Sequence, residues 1–542
     1  MKMKYLFLIG ISLTALPMAA QETYEDTKLV ENDLNGTARY VGMGGAMDAL
    51  GADLSTISSN PAGLGLFRRS MATLSFGMVS QQHGKNFRNG NKTNASFDQV
   101  GFVYTMRENR NSFLNIGFNY HKSRNFDYIL SAAGGLKDAS QNTQSFLKGI
   151  AGGDKDTQSK FNIANDHGNL KGVDPRTSQL DNLYYNAFLA NSNGQLARNT
   201  ANAYVMNRAN TGYIGEYDFN ISGNINDRIY LGVTFGLHDV HYKGVSEYAE
   251  NLLNYKNENV GTVAINDERR ITGTGFDVKI GAIFRPIESS PFRIGLSIAT
   301  PTWYSLTTQN YTYLVNGTQY QGYNPNYTTG ASYDFKLYSP WKFGVSLGHT
   351  VGKYLALGAS YEYADYGSMD NRINDGTHYS YFYDEYYEAS HSDRAMNDHT
   401  KETLKGVSTF KIGAEVKASP EFAIRLGYNY LSPMFNKNGF KNSLVDSYGT
   451  NYSSATDYTN WKATNRLTLG LGYAVKNFSV DLAYQYSVTK GDFYPFMDSY
   501  GDFWSLNTNT NKIEKEAISN NANAVSVNNK RHQLLLTLGY RF

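Results

Sequence analysis

The chain has 542 residues, among them 51 glycines, 43 tyrosines and 11 prolines, and its formal net charge is +2. This charge balance excludes the concentrated basic face that a nucleic-acid partner requires. The sequence contains no cysteine, which excludes a disulfide framework and a structural thiolate metal site.

The first twenty residues have the pattern of a secretory signal peptide. Lys2 and Lys4 form a charged start, residues 5–16 form a short apolar stretch, and residues 17–20 offer a cleavage site before Gln21. A membrane anchor is the alternative, but the apolar run is too short to span a bilayer comfortably. We therefore predict a secreted protein with a signal peptide at 1–20.

Strict alternation of apolar and polar residues predicts strands from residue 69 to the end of the chain. Leu534, Leu536 and Leu538, for example, alternate with Gln533, Leu535, Thr537 and Gly539. The predicted strands are 69–80, 96–107, 112–125, 213–224, 228–243, 273–285, 291–304, 333–350, 353–367, 405–417, 421–432, 465–475, 478–490 and 531–542. Residues 310–320 are assigned to a loop, because a further strand would make the count odd.

The predicted connections alternate between short turns and long loops. The long loops are 126–212, 244–272, 305–332, 368–404, 433–464 and 491–530. Short periplasmic turns and long external loops are typical of bacterial outer-membrane barrels, whereas a soluble β-sandwich lacks this regular asymmetry. The fold class is therefore predicted to be all-β: a transmembrane antiparallel β-barrel of about 14 strands, residues 69–542, in the bacterial outer membrane.

The segment before the first strand is rich in small residues. It contains Gly42, Gly44 and Gly45, and then the motif Asn60-Pro61-Ala62. A dinucleotide-binding fingerprint is an alternative interpretation of the glycines, but such a fingerprint follows a buried strand in a βαβ unit. Here a polar stretch precedes the glycines and antiparallel strands follow.

These two motifs resemble those of the FadL family of outer-membrane transporters for long-chain fatty acids and other hydrophobic compounds. The resemblance covers residues 36–68 and, less specifically, the strand count and loop pattern. It implies a fourteen-stranded barrel whose lumen holds an N-terminal hatch, here residues 21–68. It also implies an apolar ligand pocket beside the hatch and lateral release through a kink in the third strand, where Gly117 is the only glycine.

A hydrophobic ligand is expected to contact apolar hatch residues, since each buried methylene contributes about 0.8 kcal/mol. Leu64, Leu66 and Phe67 are the candidates, with packing of the hatch itself as the structural alternative. A fatty carboxylate would pair with a lumen-facing cation. The candidates are Arg293, Arg425 and Arg466, which lumen carboxylates such as Asp277, Glu415 and Asp481 are equally placed to neutralise.

No catalytic or metal site is predicted. The ten histidines are scattered, and neither His238 with His241 nor His391 with His399 has the spacing of convergent ligands. We therefore expect no cofactor and no enzymatic activity.

The expected function is passive uptake of a hydrophobic small molecule, fatty-acid-like, with release into outer-membrane lipid. The alternative is a binding or secretion scaffold that holds a protein partner through the long external loops. The sequence leaves open the ligand, the lateral opening, the oligomeric state and the role of loop 126–212.

Overall fold

The computed structural model describes residues 22–151, 178–189, 198–320, 328–380, 384–442, 445, 447–507 and 512–542, so the predicted signal peptide lies outside the described residues. The strands are β1 (Met71–Gln81), β2 (Thr93–Arg107), β3 (Phe113–Asn125), β4 (Tyr128–Ala139), β5 (Thr200–Ile225), β6 (Ile229–Leu253), β7 (Asn259–Phe284), β8 (Arg293–Ala299), β9 (Trp303–Thr318), β10 (Thr328–Tyr338), β11 (Lys342–Val351), β12 (Leu355–Asp365), β13 (Asp370–Ser380), β14 (Glu385–Ser392), β15 (Gly406–Lys417), β16 (Phe422–Leu431), β17 (Tyr458–Val475), β18 (Phe478–Tyr494), β19 (Ser499–Asn507), β20 (Lys512–Asn520) and β21 (Val525–Arg541). The helices are α1 (Thr23–Val30), α2 (Ala38–Gly42), α3 (Gln141–Ala151), α4 (Gln179–Tyr184), α5 (Arg394–Thr403) and α6 (Tyr448–Asn451). Short 3-10 turns lie at Leu54–Ser58, Pro61–Leu66 and Tyr366–Ser368, and a π-helical turn lies at Tyr185–Leu189.

The strands close into an antiparallel barrel, because β1 pairs with β2 on one side and with β21 on the other. Around the barrel the order is β1, β2, β3, β5, β6, β7, β8, β11, β12, β15, β16, β17, β18 and β21. These are fourteen strands, and each predicted strand contributes one of them. The predicted fold class is confirmed.

The barrel wall continues well beyond the predicted strand ends. β4 extends the line of β3 along β5, and β9 extends the line of β8 along β7. The assignment of residues 310–320 to a loop was therefore wrong, because β9 runs to Thr318. β9 adds no strand to the barrel, since it continues the line of β8. The alternation is weak because polar residues occupy both sides of the wall: Thr308, Asn310 and Thr312 are buried on the lumen side, and Ser305 and Gln309 are exposed on the outer side.

The outer face carries a belt of large apolar side chains. Phe102, Phe219 and Leu231 are 47%, 50% and 52% exposed, and similar residues surround the barrel. Leaving such side chains in water would cost about 1.5–3 kcal/mol each relative to burial, so the belt faces lipid. The protein is an outer-membrane β-barrel.

The two ends of the barrel differ. Short turns at 108–112, 226–228, 285–292, 352–354, 418–421 and 476–477 lie at one end, which is the periplasmic end by the usual asymmetry. At the other end the strands are long, and β13 with β14 and β19 with β20 form hairpins. No helix among the described residues is long and apolar enough to span a bilayer.

Two segments of the chain fill the lumen. The N-terminal segment, residues 22–70, contacts lumen-facing residues on most sides of the wall. At the extracellular mouth, α3 and α4 pack into an apolar cluster that includes Leu183, Tyr204 and Tyr248. The region expected to be loop 126–212 therefore consists, where it is described, largely of β4, α3, α4 and the first half of β5.

Candidate functional site

Residues 42–62 of the N-terminal segment run along the inner wall against a ring of wall glycines. A Cβ atom added to Gly358 would lie 1.8 Å from the carbonyl oxygen of Ala46, and one added to Gly413 would lie 2.2 Å from that of Met43. The ring consists of Gly232, Gly281, Gly295, Gly348, Gly358, Gly413, Gly427 and Gly470. Backbone therefore meets backbone here, and this contact closes the periplasmic half of the lumen.

The glycines predicted as the hatch motif lie within this contact. Gly44 and Gly45 have φ of +65° and +77°, a conformation that favours glycine. A Cβ on Gly44 would also lie 2.8 Å from the backbone nitrogen of Tyr428. Gly42 faces Gly470, and its carbonyl oxygen accepts a hydrogen bond from the Thr468 hydroxyl at 3.1 Å.

The Asn60-Pro61-Ala62 motif forms a 3-10 turn against β6 and β7. The Asn60 side chain accepts a hydrogen bond from the backbone nitrogen of Ala62 at 3.2 Å. Cβ atoms on Gly232 and Gly281 would lie 2.5 Å from the Pro61 backbone and 2.1 Å from Asn60 Oδ1. The motif therefore packs tightly against β6 and β7 and fixes the N-terminal segment to the wall there.

Leu64, Leu66 and Phe67 are buried in the packing of the segment on the wall. Leu64 and Phe67 lie in one cluster with Val103, and Leu66 lies in another with Tyr230. The three residues pack between the segment and the wall and do not line the three lumen cavities. Their contact with a ligand stays a prediction.

Each of the predicted cations has a polar partner, but only Arg425 is closely paired with carboxylates. Arg425 pairs with Glu415 at 2.7 Å and with Asp481 at 2.6 Å, and Arg293 donates to the carbonyl oxygen of Leu50 at 3.2 Å. Arg466 donates to the Asn429 side chain at 3.0 Å. Of the three arginines, Arg466 lines the cavity described next, and Arg425 lines a cavity of equal volume, about 190 Å³, nearer the periplasmic end.

A cavity of about 190 Å³, the upper cavity, lies between α1 and the wall formed by β2, β3, β4, β16 and β17. Its apolar side is aromatic: Tyr24 stacks on Phe435 at 5.2 Å, and Tyr128 meets Trp461 edge-on at 5.6 Å between ring centroids. Phe126 also lines it. The arrangement suits a small apolar or amphipathic molecule.

The polar side of the upper cavity carries both charges. Burial raises the pKa of Glu25, but the charges of Arg269 and Lys28 outweigh burial and lower that pKa to about 2. Lys28 itself lies over the Tyr242 ring at 5.6 Å. The cavity therefore offers a cation beside aromatic rings, next to a carboxylate that stays ionised.

The wall beside the upper cavity is not fully hydrogen-bonded. The β2–β3 ladder stops at the pair Gln99–His121, while β2 continues to Thr93 along β1 and β3 continues along β5. The register skips Asp98 in β2 and Ser123 in β3, so both strands carry a β-bulge where they separate. Bulges bend strands, which explains the divergence.

The N-terminal segment bridges this gap from inside. Asn35 Nδ2 donates to Asp98 Oδ1 at 3.1 Å and to the carbonyl oxygen of Lys122 at 3.0 Å, so it links β2 with β3. Asp33 accepts a hydrogen bond from the backbone nitrogen of Asn125 at 2.9 Å. The side chain of Gln81, in β1, donates to the backbone oxygen of Ile129 in β4 and accepts from its backbone nitrogen.

Gly117 lies below this gap. It pairs with Val103 in β2 and with Asn220 in β5, within the regular part of both ladders. A Cβ there would lie 2.4 Å from Leu64 Cδ2. Gly117 thus makes room for Leu64, and β3 departs from regularity at Ser123 and again between β3 and β4. A lateral opening at Gly117 stays a prediction.

The extracellular side of the lumen is closed by α3 and α4. The Glu250 carboxylate on β6 accepts hydrogen bonds from the first backbone nitrogens of α3, those of Gln141 at 2.9 Å and Asn142 at 3.0 Å. The Tyr184 hydroxyl in α4 also donates to Glu250, at 3.2 Å. One buried carboxylate thus holds both helices.

Comparison with solved structures finds chains with low sequence identity to this one. The toluene transporter TbuX of Ralstonia pickettii is 14% identical, with 94% of this chain and 99% of that chain covered and a TM-score of 0.45. A FadL homologue of Pseudomonas aeruginosa is 12% identical, with coverage of 97% and 100% and a TM-score of 0.46. The monoaromatic hydrocarbon channel CymD is 10% identical, with coverage of 94% and 99% and a TM-score of 0.46.

No family model matches the chain, and no curated protein matches it. Because the TM-scores of these three structures lie below 0.5, we base the class of the protein on its own geometry. That geometry defines a fourteen-stranded outer-membrane barrel whose lumen is occupied by its N-terminal segment.

Proposed function

We propose that the protein takes up small hydrophobic or amphipathic compounds across the outer membrane. The observation that carries the proposal is the position of the upper cavity, which is lined by residues on both sides of the β2–β3 gap, among them Asp98 and Lys122. A compound in this cavity would be next to the one stretch of the β2–β3 wall without a ladder.

The size and lining of the cavity favour a small cargo. Its volume of about 190 Å³ is below the 300–1,000 Å³ typical of pockets for drug-sized ligands. Aromatic rings line one side, and the Lys28 ammonium on the polar side can bind a carboxylate or another hydrogen-bond acceptor. We therefore favour a compound of single-ring size over a full-length fatty acid as the cargo. Either compound would be released into lipid.

In this proposal the N-terminal segment acts as the hatch. Asn35 and Asp33 hold it to the edges of the gap, so their displacement would remove the inner links between β2 and β3. The same displacement would connect the cavity with the bilayer. Release sideways suits an apolar compound, which gains free energy in lipid and needs no aqueous pore.

A reversible cross-link tests this route. Since the chain has no cysteine, Asn35→Cys with Asp98→Cys can be joined by a short bis-methanethiosulfonate reagent that reductant removes. We expect uptake of radiolabelled toluene or oleate, in a bacterial host without its own such transporter, to fall at least about tenfold and to recover with reductant.

The matched control joins two residues across a continuous ladder. Ser80 and Thr93 face each other on β1 and β2, with their hydroxyl oxygens 2.8 Å apart and no hydrogen bond to the described N-terminal segment. Cross-linking Ser80→Cys with Thr93→Cys should leave uptake unchanged. Uptake that persists with Asn35 tied to Asp98, or that never exceeds the empty host, would contradict the proposal.

A scaffold for a protein partner is the second candidate, favoured by a different observation. The mouth is filled by α3 and α4, and the hairpins beside it expose large aromatic residues, with Tyr386 75% and Tyr500 64% exposed. Neither probe would then be taken up, and Tyr386→Ala combined with Tyr500→Ala would abolish partner binding.

A further inference from the structure

A cluster of ionisable side chains lies on the lumen face of the wall, separate from the upper cavity. It brings together residues of β3, β5, β6 and β7, and each is at least nine-tenths buried. Its members are His121, Glu216, Asp218, His238, Asp277 and Lys279. Burial of so many charges is costly unless they are paired, so the pairing has to be examined atom by atom.

Lys279 neutralises one oxygen of each carboxylate. Its Nζ lies 2.7 Å from Glu216 Oε1, 2.7 Å from Asp277 Oδ1 and 3.2 Å from Asp218 Oδ1. Three carboxylates against one ammonium leave two negative charges in excess. The second oxygen of each carboxylate remains for another partner.

His238 is oriented by one of these second oxygens. Its Nε2 lies 3.0 Å from Asp277 Oδ2, and a carboxylate only accepts, so the proton of the neutral ring is on Nε2. Its Nδ1 then carries a lone pair, and this buried atom has no hydrogen-bond partner among the described residues. Nδ1 faces Glu216 Oε2 at 3.8 Å, so two acceptors point at each other with nothing positive between them.

His121 approaches the same oxygen from β3. Its Nε2 lies 3.6 Å from Glu216 Oε2, and its Nδ1 lies 3.6 Å from Asp218 Oδ2 and 3.4 Å from Asn119 Nδ2. The Asn119 amide nitrogen can only donate to Nδ1, so the ring proton is on Nε2 in the structure. A metal ion at Nε2 would shift that proton to Nδ1, where Asp218 accepts it. Each histidine thus has a carboxylate behind it, the arrangement by which proteins orient metal-binding histidines.

We propose that His121 Nε2, Glu216 Oε2 and His238 Nδ1 bind a divalent transition-metal ion, with Zn²⁺ as the reference. Ligands about 2.0–2.2 Å from Zn²⁺ lie about 3.4 Å from one another in a tetrahedral site. The separations of 3.6 and 3.8 Å from Glu216 Oε2 need only a small contraction, whereas the two histidine nitrogens are farther apart and have to approach each other when the ion binds. The charge of the ion equals the formal excess of two negative charges.

The remaining coordination positions would face a second cavity, of about 130 Å³, which is lined by all three ligands and by Ser58 and Ser59 of the N-terminal segment. Water can complete the coordination there. Since His121 forms the last β2–β3 pair with Gln99, the ion would fasten β3 to β5 and β6 where the gap begins. Metal binding at this site does not require that the proposed transport function is correct.

The test is Zn²⁺ binding by the purified full-length protein in detergent. After removal of metal with EDTA, the affinity is measured by competition with a fluorescent chelator, and the stoichiometry by mass spectrometry of the desalted protein. We expect one ion per chain, and at least about tenfold weaker binding in His238→Gln and in Glu216→Gln. Binding of Co²⁺ should give visible absorption bands that both variants lose.

The control is His241→Gln, on the same strand. His241 pairs at 2.9 Å with Asp239, is largely exposed and lies outside the cluster. Its Zn²⁺ affinity should equal that of the parent protein. His121→Gln provides a second ligand variant, and circular dichroism verifies that each variant retains its barrel. Absence of saturable Zn²⁺ binding in the parent, or equal loss in His241→Gln, would overturn the proposal.

Discussion

At the scale of single residues, glycine determines how closely the N-terminal segment approaches the wall. Gly358, Gly413 and Gly427 lie on neighbouring strands, and in each case an added Cβ would meet segment backbone at 2.2 Å or less. Protein interiors tolerate overpacking poorly, because neither backbone can move without disturbing other contacts. The absent side chains are therefore what lets residues 42–62 close the periplasmic half of the lumen.

We predict that Gly358→Ala loosens the segment and destabilises the protein by about 1–3 kcal/mol. The measurement is the midpoint of urea unfolding, combined with hydrogen exchange of residues 43–50. Gly135→Ala on β4 is the control, since its new methyl group would meet only the Asn202 carbonyl oxygen, at 3.8 Å. An equal effect of both substitutions would show that contact with the segment is not the cause.

Whether a charged residue in the lumen is available to a ligand is also decided residue by residue. Arg425 had been a candidate anchor for a carboxylate cargo, but Glu415 and Asp481 bind it, and Arg39 also pairs with Glu415 at 2.9 Å. Alternation along a strand places such an arginine in the lumen. Only the neighbouring strands decide whether its charge is available.

At the scale of elements, α3 depends on a residue of the wall for its N-terminal cap. The first backbone nitrogens of a helix lack partners within the helix, and an anion there is favoured by the helix dipole. Glu250 satisfies two of them and also accepts from Tyr184. Burial and the Glu250 charge raise the pKa of Tyr184, so its hydroxyl remains a donor.

We predict that Glu250→Ala releases α3, because a hydrogen bond to a charged group contributes about 1.5–3 kcal/mol. Hydrogen exchange of the backbone amides of α3 should accelerate at least about tenfold. Glu247→Ala on the same strand is the matched control, since Glu247 pairs with Arg88 away from α3. Unchanged exchange in Glu250→Ala would mean that apolar packing alone holds the helix.

At the scale of the whole molecule, the barrel is closed from both ends. The N-terminal segment occupies the periplasmic half of the lumen, and α3 and α4 occupy the mouth, with the upper cavity between them. The cross-link between residues 35 and 98 tests whether a cargo leaves sideways at the β2–β3 gap.

The orientation of the barrel gives the third prediction. Since the chain has no cysteine, single substitutions can be labelled with a membrane-impermeant maleimide. Lys256→Cys, in the turn between β6 and β7, should react on intact cells. Ser289→Cys, in the turn between β7 and β8, should react only after the outer membrane is permeabilised. The reverse pattern would invert the assigned orientation.

The sequence by itself determined the barrel, its strand count and its place in the outer membrane. Within the bilayer each strand has one face in lipid and one in the lumen, so apolar and polar residues alternate with a period of two along the sequence. The glycines and the Asn60-Pro61-Ala62 motif were also found there. Above the bilayer the outer face is no longer uniformly apolar, so the alternation fades in β4, β9 and the upper parts of β5 and β6, which the sequence assigns to loops.

Only the tertiary structure decided the sites. Asn35 and the bulges at Asp98 and Ser123 have no local signature, because a gap between strands exists only once both strands have neighbours. His121 and His238 are far apart in sequence, and the spacing of the histidines gave no sign of a metal site. Closure of the barrel brings β3, β5 and β6 side by side, and their lumen faces then present both rings to one carboxylate.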